Sequence, residues 1–140
     1  MQARSTAAAI LLLALAGCHS STQPAPRASD SGTPLGEVPT ALAANAPVDF
    51  AICSGCHTIV AGRNGIGPSL LGVVGRKAGS LPGFAYSAAL QTSGITWTPE
   101  KLDRWLSGPM AMVPGTRMSF GGYADPKQRQ AVIAYLNTLK

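Results

Sequence analysis

Apolar and polar residues fall into distinct regimes along this chain. Every position from Ala7 to Ala16 is apolar, a run of ten. Residues 19 to 44, HSSTQPAPRASDSGTPLGEVPTALAA, hold no aromatic residue and sustain no period. Such a composition cannot repay the entropy of ordering and reads as a tether. Helical spacing begins after it. Asn45 is placed to cap a short first helix, with Pro47 in its first turn and Phe50 and Ile52 as apolar contacts, ending around two cysteines. Glycine and proline punctuate residues 58 to 83, which predicts loop with a brief helical turn near Leu70 to Val74. A short helix is expected over Tyr86 to Gln91. Thr98-Pro99-Glu100 is a helix start, and Leu102, Trp105 and Leu106 follow at i, i+3, i+4 until Pro109. Asp125 and Pro126 open a last helix, with Val132, Ile133, Tyr135, Leu136 and Leu139 as its apolar face. No stretch reads as a strand. The expected fold class is all-α, with short helices and long Gly/Pro-rich loops.

Composition adds a constraint. The chain has 140 residues and is 46% apolar, enough for one domain's core. Three or four short helices joined by glycine-rich loops nevertheless bury too little on their own. Something else is expected to fill the centre. The net charge of +5 is modest, and no run of Lys and Arg appears. That suits an acidic protein partner or anionic lipid and gives no argument for nucleic acid.

The candidate chemistry lies in CSGCHT, residues 53 to 58. A four-ligand zinc site needs two more Cys or His in the domain. The only others in the chain are Cys18 and His19, at the far end of the tether. A redox dithiol wants a strand leading into a helix, and no sheet is expected here. Covalent haem attachment fits: Cys53 and Cys56 form thioethers to the vinyl groups, and His57 lies beside the iron. A sixth ligand remains open at this point. Met110, Met112 and Met118 are all available, and buried methionine is commonly core filler.

Four further stretches narrow the choice. They are GxGPSLxGVxGRKxG over residues 65–79, GFAYSxAL over 83–90, GITW over 94–97 and PGTRMSF over 114–120. With the CSGCH motif, and in this order and spacing, residues 47 to 140 resemble a class I cytochrome c of the mitochondrial and cytochrome c2 type. The resemblance implies the cytochrome c fold around one covalently bound haem c, with His57 and Met118 as axial ligands. It implies that the Pro68 carbonyl accepts the His57 ring proton, and that Arg76, Tyr86 and Trp97 hydrogen-bond the haem propionates. Thr116 stands where the family has a further polar contact and Phe120 where an aromatic packs at the haem edge. Read without the resemblance, Arg76 beside Lys77 is solvated surface, and Trp97 and Tyr86 are core. Three departures stand out. Trp105 replaces a customary tyrosine near the methionine. Met110 and Ala111 replace lysines of the family's basic docking ring, and the glycine expected where the terminal helices cross has no counterpart.

The N-terminal run completes the reading. Arg4 followed by ten apolar residues is too short to span a bilayer and reads as an export signal. It ends in Leu15-Ala16-Gly17-Cys18, which resembles a lipobox and implies acylation of Cys18. The expected organisation is therefore signal peptide over 1–17, lipidated N-terminus and tether over 18–44, and cytochrome c domain over 45–140. The expected protein carries single electrons from a donor such as a cytochrome bc1 complex to a terminal oxidase, on the periplasmic side of a bacterial membrane. It is not expected to be an enzyme. The alternatives are a non-shuttling haem subunit of a larger oxidase or reductase complex, and a ligand-binding or peroxidatic haem protein.

Overall fold

Two proline-led helices frame the domain. The computed structural model describes residues 43–140; the stretch expected to be a signal, Cys18 and most of the expected tether lie outside the described residues. Its helices are α1 (Ala51–Ser54), α2 (Ala88–Gln91), α3 (Pro99–Ser107), α4 (Pro109–Met112) and α5 (Pro126–Thr138), with a 3-10 turn, Val48–Phe50, running into α1. The Thr98 side chain accepts from the Lys101 N–H (3.3 Å) and starts α3, with Pro99 as its first residue. The Asp125 carboxylate accepts from the Lys127 N–H (2.8 Å) and starts α5 at Pro126 in the same way. Helix α3 lies against α5, and Leu102, Trp105 and Leu106 share one buried cluster with Val132, Ile133, Tyr135 and Leu136. The Arg129 guanidinium bonds the Asp103 carboxylate at 2.7 Å across this pair. It also donates to the carbonyls of Tyr123 and Ala124, at 2.8 and 3.0 Å.

The N-terminal elements close onto α5. Phe50, only 4% exposed, sets its ring edge-on to Tyr135 with centroids 4.7 Å apart. Gln128 donates to the Asp49 carboxylate at 2.8 Å, and the Tyr123 hydroxyl donates to the Asp49 carbonyl. Asn45 is not the cap of this first helix. Pro47 takes the cap position of the 3-10 turn, with extended backbone and no capping side chain, and Phe50 that of α1.

Three other expectations are corrected. Leu70 to Val74 forms turns rather than helix, since the Gly72 N–H donates outward to the Leu139 carbonyl (2.8 Å). The helix expected from Tyr86 begins only at Ala88, because the Ser87 hydroxyl accepts from the Leu90 N–H (3.3 Å) and caps there. Tyr86 is thereby left in loop. Pro109 ends α3 but also opens α4, a single turn closed by bonds from Met112 and Val113 to the carbonyls of Gly108 and Pro109, at 3.0 and 2.9 Å. No strand occurs among the described residues. The sole sheet-like feature there is the isolated antiparallel bridge Lys77–Thr96.

After α4 the chain returns along α3 and turns at Gly122, whose φ is +95°. A Cβ there would stand 2.2 Å from the Ser107 carbonyl oxygen. Gly122→Ala meets both the left-handed backbone penalty and a backbone clash that no rotamer relieves. We expect it to destabilise the protein by about 3 kcal/mol, measured as a lowered urea midpoint at unchanged slope. A midpoint equal to the parent's would show that the turn shifts freely away from α3.

Candidate functional site

The two cysteines and the histidine are arranged by one turn of backbone. The N–H groups of Cys56 and His57 both donate to the Cys53 carbonyl, at 3.1 and 2.9 Å, as α1 ends. The following loop folds back on this turn. The Gly67 N–H donates to the Cys56 carbonyl (2.8 Å) and the Leu70 N–H to the Thr58 carbonyl (2.8 Å). Ser69 is fully buried and locks the loop, its hydroxyl donating to the Val60 carbonyl at 2.8 Å. The next residue back, Pro68, presents its carbonyl 2.7 Å from His57 Nδ1. A carbonyl only accepts, so Nδ1 carries the proton and Nε2 keeps its lone pair. Burial holds the imidazole below its ordinary pKa, against a smaller upward pull from the Pro68 carbonyl. The ring is neutral at pH 7 and able to ligate.

Gly67 lies against that ring. A Cβ on Gly67 would come within 2.4 Å of His57 Cε1 and 2.6 Å of Nδ1. Gly67→Ala must therefore push the imidazole off the Pro68 carbonyl. A loss of about 3 kcal/mol, or at least 10 °C in melting temperature, is the expected outcome for the haem-loaded protein. A melt followed at the haem absorption checks it, and a shift under roughly 2 °C would show that the ring has room to move.

A cavity of about 660 Å³ opens beside His57. All ten domain residues singled out from the sequence line it: the thiols of Cys53 and Cys56, His57, Pro68, Arg76, Tyr86, Trp97, Thr116, Met118 and Phe120. Cys18, the remaining predicted site, lies outside the described residues. Of the three candidate methionines only Met118 borders the cavity. Met112 lines a separate cleft with Lys101 and Arg104, and Met110 is exposed. The Arg76 guanidinium donates to the carbonyls of Ser69 (2.8 Å) and Leu71 (3.0 Å), which fixes it at the cavity wall. Backbone pairing sets Trp97 beside it, through the Trp97 N–H to the Arg76 carbonyl (2.9 Å) and the Gly75 N–H to the Trp97 carbonyl (2.8 Å). Burial raises the Tyr86 phenol above its ordinary value, with nearby Arg76 pulling it partly back, so Tyr86 is a neutral donor at pH 7. The Thr116 hydroxyl accepts from the Met118 N–H (3.3 Å), and Phe120 meets Tyr123 edge-on at 5.0 Å.

Sequence reasoning missed much of the apolar wall. Ile52 and Ile66 border the cavity yet are 62% and 82% exposed, and Phe84, Leu90 and Trp105 complete the lining. Large aliphatics left in solvent at a cavity mouth mark a surface meant to be covered. The isoleucine within GIGPS was the available signal, a bulky apolar residue in a loop of glycines.

These residues suit a haem. The volume falls within the roughly 300–1,000 Å³ of cofactor sites, the wall is mainly apolar, and the few polar groups converge. Cys53 and Cys56 are free thiols, with burial raising the Cys53 thiol above its ordinary value. Among the described residues no three His, Cys, Asp or Glu side chains gather to hold a bare metal ion.

Comparison with known proteins agrees. The family model described as Cytochrome c matches residues 44–140. Cytochrome c2 iso-2 of Magnetospirillum molischianum is 47% identical over 97 residues, which is 69% of this chain and 100% of its own length. Cytochrome c2 of Rhodopila globiformis is 53% identical over 89 residues, covering 64% of this chain and 84% of its own. Among solved structures, cytochrome cH from Methylobacterium extorquens is similar at 48% identity and a TM-score of 0.63, over 69% of this chain and 97% of that one.

Proposed function

Because this chain belongs to the cytochrome c family, as a class I protein of the cytochrome c2 type, we propose that it is a membrane-tethered carrier of single electrons between respiratory-chain components. Its cofactor is one covalently bound haem c, and it is an electron carrier rather than an enzyme. The observation that carries the proposal is the single cavity bordered by two free thiols, a neutral imidazole and a thioether sulfur.

The haem supplies a one-electron iron couple, and histidine–methionine ligation favours a relatively high potential. The residues of this chain do the rest. Cys53 and Cys56 would hold the group by thioether bonds, which would prevent its loss outside the cell. His57 would ligate through Nε2 while its Nδ1–H donates to Pro68, which fixes the ring's orientation and raises its basicity. Met118 would offer its thioether sulfur as a second ligand to the iron. Arg76, Tyr86 and Trp97 supply a cation and donors for buried propionates. Thr116 supports the Met118 backbone, and Phe120 shields the pocket.

The tethered part of the reading rests on residues 1–44. We assign 1–17 as the signal, Cys18 as the acylated first residue of the mature chain, 18–44 as the tether and 45–140 as the haem domain. The family match begins at residue 44, close to this boundary. No described helix is long and apolar enough to cross a membrane. Acyl chains on one cysteine meet the requirement that stable anchoring uses more than one chain. With the domain held at the periplasmic face, the local concentration of membrane partners rises, which offsets the missing lysines at Met110 and Ala111. The partners we assign are a cytochrome bc1-type donor and a terminal oxidase.

Fractionation with turnover tests this. The parent is expected in the membrane fraction, reduced by a quinol donor and reoxidised by terminal oxidase. Cys18→Ser should be released by a high-salt wash and lose most of that turnover in dilute vesicles. A parent recovered in the soluble fraction would remove the tether. A parent that stays oxidised beside an active quinol donor would remove the assigned donor.

A further inference from the structure

Helix α3 turns two faces to different surroundings. Leu102, Trp105 and Leu106 border the cavity beside His57, while Lys101 and Arg104 border a second cleft of about 390 Å³. Ala89 and Ile95 reach this cleft from the stretch around α2, and Met112 and Pro114 from the stretch leaving α4. Gly115 lets the two stretches approach, since a Cβ there would stand 3.3 Å from that of Ala89. No carboxylate borders the cleft. Lys101 and Arg104 are exposed, and among the described residues neither enters an ion pair. The acids next to them in sequence are engaged elsewhere. Arg129 holds the Asp103 carboxylate at 2.7 Å, and a bond with the Thr98 hydroxyl keeps the Glu100 carboxyl below its usual pKa. Two like charges three positions apart on one helix face repel. Lys101 is also the third residue of α3, where the positive end of the helix disfavours a cation. No ion pair offsets either cost.

We propose that this cleft binds a phosphate monoester, with Lys101 and Arg104 on the phosphate and the ester's organic part against Ile95, Met112 and Pro114. The charge matches. A phosphate monoester carries about −1.5 to −2 at pH 7, which answers two cations, whereas a single carboxylate leaves one of them bare. The Arg104 guanidinium can take two phosphate oxygens at once, and Lys101 acts as a point charge beside it. The backbone has little to add. The N–H groups of Ser93, Met112 and Val113 already donate to the carbonyls of Leu90, Gly108 and Pro109, and that of Ile95 to Ser93 Oγ. The Ser93 hydroxyl in turn donates to the Leu90 carbonyl at 2.8 Å. Recognition of the anion therefore falls to the two side chains. A soluble ester and the headgroup of phosphatidic acid present the same group. The site is independent of the iron's ligands and of the electron partners.

The test titrates glycerol 3-phosphate into the haem-loaded full chain carrying Cys18→Ser, which cannot be acylated there, and follows backbone amide shifts. Saturable shifts are expected at Ser93, Ile95, Lys101, Arg104 and Met112, where sodium chloride of equal ionic strength gives none. Replacing both cations, Lys101→Gln with Arg104→Gln, should weaken binding roughly tenfold, the low end for losing a charged hydrogen bond. The pair Arg63→Gln with Lys127→Gln removes the same charge elsewhere and should bind within about twofold of the unsubstituted cleft. All four side chains are exposed, so both pairs should melt with the parent. Shifts that never saturate, shifts spread evenly over the basic surface, or equal weakening in both pairs overturn the site. Vesicles of phosphatidylcholine carrying phosphatidic acid then separate the two sources. Vesicle binding that is competed by glycerol 3-phosphate and lost in the Lys101/Arg104 pair assigns the lipid headgroup. Glycerol 3-phosphate binding that depends on that pair, with vesicle binding that does not, assigns a soluble ester. Either result leaves the site standing.

Discussion

A chain in which Cys53 and Cys56 are both replaced by serine, purified free of haem, should not fold at 25 °C. The argument is one of volume. The cavity measures about 660 Å³ and is walled mainly by apolar side chains, which without the group would be left facing water or empty space. The whole stability of a domain is only about 5–15 kcal/mol. The helices supply little to set against that loss, since three of the five are single turns of four residues. Far-UV circular dichroism should show a largely disordered chain with no cooperative melt. Adding haem should restore helicity in part, as the group fills the space without its thioethers. A haem-free chain that melts cooperatively with native-like signal would mean that the loops collapse onto one another, and that the cavity is not what the fold is built around.

Met118→Ala should leave the fold standing and change the chemistry. His57 keeps its place through Pro68 and Gly67, and the two thioethers still hold the group. Loss of the sulfur removes the soft ligand that favours the reduced iron. The weak far-red band of the oxidised form should vanish, and the reduced form should take up carbon monoxide. The potential should fall by a sizeable fraction of the roughly 0.8 V over which axial ligands move haem potentials. An unchanged spectrum in the variant would remove Met118 from the iron and with it the reason for reading a closed, carrier-type site. Trp105 is buried in the same wall. Its indole can donate a hydrogen bond but not accept one.

What the sequence disclosed and what it hid have physical reasons. The starts of α3 and α5 were readable because a cap, a proline and a following stripe act within one turn. CSGCH was readable because attachment chemistry requires adjacent residues. The family-specific stretches then led to Pro68, Arg76, Tyr86, Trp97, Thr116, Met118 and Phe120, all of which border the cavity, although no local signal separated Met118 from Met110 and Met112. The misses came where long-range bonds decide. Gly72 is drawn out of a helix by the Leu139 carbonyl, 67 positions later, and nothing near Leu70 announces it. The pairing of Arg76 with Trp97 spans a loop, too short to leave an alternating pattern. Ile52 and Ile66 broke the expectation that large aliphatics are buried, because what covers them is not part of the chain's own packing. Pro109 was read only as a terminator, though a proline is equally suited to the first position of the next turn.

Arg76 has one further consequence. Two of its N–H groups are committed to the carbonyls of Ser69 and Leu71, and Ser69 is itself locked to Val60. The guanidinium therefore cannot swing when charge arrives in the cavity or leaves it. Water in its place would turn with every change and dissipate energy on each cycle. A cation already braced by its own backbone offers the same field before and after, so the traffic of charge costs little rearrangement in either direction.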